Sequence, residues 1–457
     1  MLWLRAVIVF LTIPMGLVYM KGTRIVRGMR VGEIRELIRM KPVELDATRR
    51  RLSSCHDIDD LRSAARRLIP RPVFDYVDGG SDEEISMRAN REAFQRWRFR
   101  PRLLADVSEV ETAATVLDRN LPLPLILGPT GYTRMMHPGG EIAVARSAAR
   151  HGLPYTLSTM STTTIEKLAE AVPRPDQDDK DLWFQLYFMR DADVNKDLIA
   201  RAADAGYRVL MVTVDTAVPG RRIRDERNGL IIPPALTAGT LASIAAHPGY
   251  WTSMLRNPAI AFANLPVKAK TIANSGSMFD PALNWGTIDD LRQQWPGKLI
   301  LKGPLGPEDA TRAIRQHNVD GIVLSNHGGR QLDRAVAPID LVPSVREAIG
   351  SEPTLLVDSG VRHGSDIAVA IALGADGVAI GRAYLYGLMA GGEHGVDKTI
   401  DVLHEQFTRT LQLLGAHSTR ELRTAGEAYL GRYDISPLSI DFVGNSLQTL
   451  ETCPMSH

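Results

Sequence analysis

Cysteine is nearly missing: the 457-residue chain has only Cys55 and Cys453. Two distant cysteines outside any CxxC pattern exclude a disulfide framework and a cysteine-based zinc site, and they suit a reducing compartment. Net charge is nearly missing too. Lys+Arg number 54 and Asp+Glu 53, a formal charge of +1, which leaves no electrostatic footprint for nucleic acid as a main partner. Neither HExxH nor EF-hand spacing occurs, so no metal is expected. What is present is 44% hydrophobic and 23% charged residues, enough to bury a sizeable core. At roughly 150 residues per domain, the length allows two or three domains or one large barrel. The class that remains is a globular protein facing the cytosol, and an enzyme.

Long apolar runs are absent with one exception. Leu2 to Met20, LWLRAVIVFLTIPMGLVYM, is interrupted only by Arg5 and Pro14 and is just long enough for a bilayer of roughly 30 Å. No small-x-small cleavage site follows, which weakens the signal-peptide reading. Lys21, Arg24, Arg27 and Arg30 outweigh Arg5, so the positive-inside rule keeps the downstream chain cytoplasmic, at the inner face of the cell membrane. Residues 1–27 are read as a membrane anchor, with a start codon placed ahead of Met20 or Met29 as the alternative.

Residues 28–100 are charged and helical in pattern. In DIDDLRSAARRL (Asp57–Leu68), Ile58, Leu61, Ala65 and Leu68 recur at 3-4 spacing, with acids first and arginines last, as the helix dipole favours. From Leu121 the texture changes to short apolar runs alternating with helical patterns. The runs begin at Leu125, Pro154, Leu182, Arg208, Leu299, Gly321, Thr354 and Gly377. Eight buried-type strands alternating with helices predict an α/β fold with a parallel sheet, and eight closes a (β/α)8 TIM barrel. No GxGxxG follows the first run, which argues against an open doubly wound sheet. The barrel is expected over residues 101–430, preceded by the helical extension and followed by a tail at 431–457. About 80 residues separate the fourth and fifth strands; this insertion, 216–298, has the length of a lid or docking surface.

Barrel active sites are built at the carboxyl ends of strands. Those ends carry Pro129, Thr130 and Gly131; Ser158; Gln185 and Tyr187; Thr213 and Asp215; Lys302; Ser325, His327 and Arg330; Asp358, Gly360 and Arg362; and Gly381 and Arg382. Residues scattered for structural reasons would not concentrate there. A lone histidine is more often a satisfied structural residue, yet Asp215 is available to hold a charged His327 imidazole. Arg222 and Arg330 suit a carboxylate, because a guanidinium makes two parallel charge-assisted bonds. Lys302 on a buried strand demands a negative partner.

SNHGGRQLD (Ser325–Asp333), with LIPRPVFDYVDGGSDEE, GPTG, WFQLY, TVDT, GRRIRD, LKG, DSG and GRAYLYG in order, resembles the FMN-dependent α-hydroxy acid oxidase and dehydrogenase family, closest to its bacterial L-lactate dehydrogenase branch. The resemblance runs from about Arg67 to about Gly415. It implies FMN as cofactor, an L-2-hydroxy acid such as L-lactate as substrate, and His327 as the base with Asp215 stabilising its charge. It implies that Arg222, Arg330 and Tyr76 hold the substrate carboxylate and Tyr187 its hydroxyl. Lys302 would face the flavin's developing charge, with Ser158, Gln185 and Thr213 at the ring edge, Pro129, Thr130 and Gly131 on its face, and Ser325 beside it. Asp358 would meet the ribityl chain, and Gly360, Arg362, Gly381 and Arg382 the phosphate. A tetramer and a membrane quinone as acceptor follow from the same resemblance, with a peroxide-forming oxidase as the alternative. From another class, a flavin-barrel isomerase of a phosphorylated substrate would need no carboxylate clamp. His137-Pro138-Gly139-Gly140 spells a haem-domain motif, but the connection around it is too short for such a domain and reads as a helix-entry loop. Met160 and Gly131 depart from the pattern: Met160 stands where oxidases of short glycolate-like acids often carry tryptophan, and Gly131 where many oxidases have alanine.

Overall fold

The computed structural model describes residues 44–172, 181–229, 238–258, 260–265 and 278–432. The expected anchor, the start of the extension and nearly all of the tail lie outside the described residues.

Eight parallel strands close into a barrel: β1 Leu125–Leu127, β2 Tyr155–Ser158, β3 Leu182–Tyr187, β4 Val209–Thr213, β5 Lys298–Gly303, β6 Gly321–Leu324, β7 Thr354–Val357 and β8 Gly377–Ile380. Each expected run coincides with one strand. The strands are almost wholly apolar because helices cover one face and the barrel interior fills the other. Ile126, Trp183, Val209, Met211, Ile300, Val323, Leu356 and Ala379 form the interior cluster. A hairpin, Ala114–Val116 with Arg119–Leu121, adds Val116, Leu117 and Leu121 to that cluster. Its turn is tied to the amino ends of the strands, where Leu117 N donates to Thr354 Oγ1 and Arg208 Nη1 to the Leu117 carbonyl. One end of the barrel is therefore plugged. The carboxyl rim is the end left for a ligand.

The extension supplies four described helices, Ala47–Ser53, Ile58–Leu68, Arg71–Asp78 and Ile85–Gln95. Helix Ile58–Leu68 forms as its spacing predicts. Asp57 caps it by accepting the Asp60 N–H at 2.7 Å, acids fill its first turn and arginines its last, and Ile58, Leu61, Ala64 and Ala65 are buried. Arg71–Asp78 carries Tyr76 toward the rim. After β8, helix Arg382–Leu414 runs 33 residues with non-helical backbone at Gly391 and Gly392. Leu430–Arg432 pairs antiparallel with Trp97–Phe99, joining the end of the described chain to the extension.

The connection after β4 contains helices Ile223–Arg227, Ala238–Ala245, Pro248–Leu255 and Trp285–Gln294. The last is the ordinary β4–β5 crossover helix, with Ile288 and Leu291 buried, so the true excursion is shorter than 216–298. Among the described residues, no helix is long and apolar enough to cross a membrane.

Candidate active site

Strand register sets the polar floor of the rim cavity. Ser158 lies opposite Gln185, and Thr213 opposite Lys302. Ser158 Oγ donates to Gln185 Oε1 at 2.9 Å, and Gln185 Nε2 donates to Thr213 Oγ1 at 3.0 Å. After β1, Thr130 Oγ1 lies 2.8 Å from Tyr384 Oη, which donates to the Gly128 carbonyl. Lys302 is 4% exposed, and the carboxylate nearest its Nζ is Asp358 Oδ2 at 3.6 Å.

His327 is held by the turn that follows β6. Its φ is 59°, and Gly328 and Gly329 follow at 67° and 72°. Ser325 Oγ accepts the His327 N–H at 3.0 Å. A Cβ on Gly328 would lie 2.5 Å from Arg382 Nη1, so that position needs glycine for both backbone and space. His327 Nδ1 is 3.3 Å from Asp215 Oδ1 and Nε2 is 3.1 Å from Tyr187 Oη. A carboxylate accepts only, so Nδ1 carries the proton in the neutral ring and Nε2 faces the cavity with its lone pair. Burial, reinforced by the Lys302 charge, holds the His327 pKa below its ordinary value against the pull of Asp215. Burial pushes Asp215 upward, but His327 and Lys302 outweigh it and its carboxyl lies below the ordinary value. Burial also raises the Tyr187 phenol, helped by the Asp215 charge. At neutral pH the trio is thus a free imidazole, a carboxylate and a protonated phenol.

Arg222 and Arg330 sit over the Tyr76 ring, 5.3 and 5.1 Å from its centroid. Arg222 Nε donates to Asp225 Oδ2 at 2.8 Å, while Arg330 Nη1 donates only to the carbonyls of Tyr76 and Gly79. Burial, followed by the repulsion of Arg222, lowers the Arg330 pKa. Arg382 gives its N–H groups to the carbonyls of Val77, Gly79 and Gly328, and burial lowers it to about 10. A Cβ on Gly360, at φ 112°, would meet the Asn90 carbonyl at 2.6 Å. Backbone, not side chain, therefore faces the cavity beside Arg362.

One cavity gathers nearly all the expected residues: Tyr76, Pro129, Thr130, Gly131, Ser158, Tyr187, Thr213, Arg222, Lys302, His327, Arg330, Asp358, Gly360, Arg362, Gly381 and Arg382 line it. Asp215, Gln185 and Ser325 stand behind that wall and hold the residues that form it. Sequence reasoning gave no role to Ser359, whose Oγ accepts from Gly328 N and donates to Asp358 Oδ1. It also missed Phe262 and Phe279, which reach the cavity from the connection after β4 and pack 4.8 Å from Tyr132 and 4.9 Å from Tyr187 between ring centroids. Gln331, inside the SNHGGRQLD stretch, donates to the carbonyls of Asp215 and Val218 and accepts the Gly220 N–H. That stretch should have signalled it.

The donor set fits a flavin mononucleotide. A buried lysine short of a close carboxylate suits an electron-rich ring, amide-bearing and hydroxyl side chains suit its polar edge, and backbone beside two arginines suits a phosphate. The fold and site define a flavin-dependent barrel oxidoreductase. A model of the FMN-dependent dehydrogenase family matches residues 65–427, and the chain belongs to that family. A Mycobacterium tuberculosis protein named "Putative L-lactate dehydrogenase" is 45% identical over 397 residues, 87% of this chain and 94% of that protein. The (S)-mandelate dehydrogenase of Pseudomonas putida is 38% identical over 407 residues, covering 88% and 96%. The crystal structure of (S)-mandelate dehydrogenase described as a monotopic membrane protein is similar at TM-score 0.77 and 38% identity, covering 83% of this chain and 100% of that one. The protein is an enzyme that uses FMN to oxidise a 2-hydroxy acid.

Proposed function

We propose that the enzyme oxidises L-lactate to the 2-keto acid and passes the electrons to a membrane quinone. The observation that carries the reading is the convergence of one neutral imidazole, one phenol and two guanidiniums on a single cavity. Arg222 and Arg330 clamp the substrate carboxylate, their shared Tyr76 ring keeping both planes in place. Tyr187 Oη bonds the substrate hydroxyl, and Nε2 of His327 takes up a substrate proton. The imidazolium so formed is stabilised by Asp215, 3.3 Å from Nδ1. FMN supplies the chemistry of accepting the electron pair, and Lys302 is the cation beside the ring that would hold. Met160, Phe262 and Phe279 narrow the wall where the substrate side chain lies, which favours a methyl group. An aryl acid is the competing substrate, the relative from Pseudomonas putida being named (S)-mandelate dehydrogenase. Anaerobic mixing with L-lactate and with (S)-mandelate tests this: L-lactate bleaches the flavin faster, and a spectrum that neither compound changes sinks the reading. An isomerase of a phosphorylated substrate would leave both arginines without a carboxylate to hold.

Membrane attachment rests on the apolar run at Leu2–Met20 and on the monotopic membrane protein among the similar structures. Stopped-flow reoxidation separates the acceptors. Fast reaction with a quinone and slow reaction with oxygen is expected; the reverse makes the enzyme a peroxide-forming oxidase. The tetramer is checked by light scattering on detergent-solubilised protein.

A further inference from the structure

A second cleft, of about 420 Å³, lies between the amino-terminal helices, the insertion helix Pro248–Leu255 and the break in helix Arg382–Leu414. Met136 lines both this cleft and the active-site cavity. Two more methionines, Met254 and Met389, share its wall. Thioether side chains make an adaptable apolar surface.

The charged groups lining the cleft are two arginines, Arg51 and Arg67, and His137 adds an N–H donor beside them. His137 heads the loop that opens helix Gly140–Arg150, and its Nδ1 accepts the Gly139 N–H at 3.1 Å. Burial holds this imidazole below its ordinary pKa, so the neutral ring keeps its proton on Nε2. The ring packs on the helix break, where a Cβ on Gly392 would fall 3.0 Å from Nε2. Arg51 Nε is spent on the Ala390 carbonyl, whereas the exposed side chain of Arg67 makes no hydrogen bond or ion pair among the described residues. No Asp or Glu lines the cleft among the described residues. Donors over an apolar wall select a ligand that only accepts hydrogen bonds and carries an apolar body. A bare phosphate answers the donors and leaves the methionines without a partner. A ring bearing two carbonyls answers both.

We infer that this cleft binds the electron acceptor, a quinone whose ring lies against Met136, Met254 and Met389 and whose carbonyls accept from His137 and Arg67. The inference rests on the quinone reading above and adds to it a place and a set of residues. The substrate's carbinol C–H and O–H bonds give way to a carbonyl, releasing two electrons and two protons. The quinone takes up two electrons and two protons and becomes the quinol. Met136 is the only side chain named here that both cavities share, which puts acceptor and hydroxy acid in neighbouring chambers and lets either be exchanged while the other stays bound.

The test uses the holoenzyme carrying Ser253→Trp, which fills the cleft from the insertion helix at a position that does not line the active-site cavity. Bleaching by L-lactate should proceed at the wild-type rate, and reoxidation by ferricyanide should be unchanged. Reoxidation by a decyl-substituted benzoquinone should slow at least about tenfold. A second variant, His137→Phe, should weaken binding of that quinone to the oxidised holoenzyme by about tenfold in calorimetry, the loss of one hydrogen bond to a carbonyl. Wild-type quinone kinetics in Ser253→Trp together with wild-type affinity in His137→Phe overturn the inference. If the unmutated enzyme reduces ferricyanide and no quinone, the acceptor reading falls and takes the inference with it. If Ser253→Trp keeps quinone reduction and loses binding to phosphatidylglycerol vesicles, the cleft holds a lipid headgroup and the inference is wrong.

Discussion

Both ends of the barrel are rich in charge, and they dispose of it differently. At the amino ends of the strands, cations meet carboxylates: Asp320 takes Arg292 at 3.0 Å and Lys298 at 3.4 Å, and Asp376 takes both Arg346 and Arg423 at 2.7 Å. At the carboxyl rim, Arg222 has Asp225 at 2.8 Å, but Arg330 and Arg382 are met by backbone carbonyls and Lys302 by one carboxylate at 3.6 Å. A carbonyl carries only a partial charge, so the rim keeps positive potential that the other end has neutralised. The amino end uses charge to fasten strands to helices. The carboxyl rim keeps it for an anionic ligand, and burial, followed by the repulsion of a neighbouring arginine, lowers the pKa of both Arg330 and Arg382. Substitutions at the two ends should therefore separate stability from chemistry.

The largest effect is expected at His327. His327→Gln keeps the hydrogen-bonding shape and removes the base, so flavin reduction should fall by at least about a thousandfold with FMN still bound. Stopped-flow bleaching measures it, and a normally reduced variant would reject His327 as base. Asp215→Asn comes next, at about a hundredfold, because a neutral amide no longer stabilises the imidazolium. It also has a pH signature. Protonated His327 is inactive, so kcat/KM should decline as pH falls, with an apparent pKa under the ordinary histidine value. The Asp215 charge works to raise that pKa, so the variant's acid limb should move to still lower pH. A limb that moves upward contradicts the arrangement.

Asp376→Asn strikes the opposite end. It leaves Arg346 and Arg423 with half their partnership and should cost about 2 kcal/mol of stability, the pair being only partly shielded from water. Chemical denaturation reads the loss, while flavin reduction by L-lactate should stay at the wild-type rate. Slowed reduction would mean that the two ends are coupled and the comparison fails.

How far the sequence carried this contrast depends on distance along the chain. The strands were legible because burial on both faces makes them continuous apolar runs, and the rim residues because each follows a run directly. Asp215, Gln185 and Ser325 were placed at the right strand ends, yet nothing local separates a side chain that lines a cavity from one standing behind it. Phe262 and Phe279 were invisible for a different reason. They come from the connection after β4, where no periodic pattern points them anywhere, and only the closed barrel brings them to Tyr132 and Tyr187. The same connection hid its crossover helix, Trp285–Gln294, whose two buried residues make a weak stripe.

The smallest expected effect concerns the two departures from the family pattern, which turn out to touch. A Cβ on Gly131 would lie 3.0 Å from Met160 Cβ and 3.3 Å from the Met160 carbonyl. That carbonyl accepts the Tyr132 N–H at 2.9 Å, so the loop after β1 cannot simply swing away without lengthening the bond. Gly131→Ala should therefore shift Met160 by a few tenths of an ångström within the wall of the substrate cavity, and a cost of about 1 kcal/mol corresponds to roughly fivefold slower flavin reduction. The shortest of these contacts is between β-carbons, which gives the prediction a sharper form. Shortening the side chain by Met160→Ala leaves the clash in place, whereas Met160→Gly removes it. Restoration of the rate in Gly131→Ala/Met160→Gly but not in Gly131→Ala/Met160→Ala would establish the contact as the cause, since coupled neighbours depart from additivity. Equal rates in the two double variants would trace the effect of the added methyl to the flavin side of the loop instead.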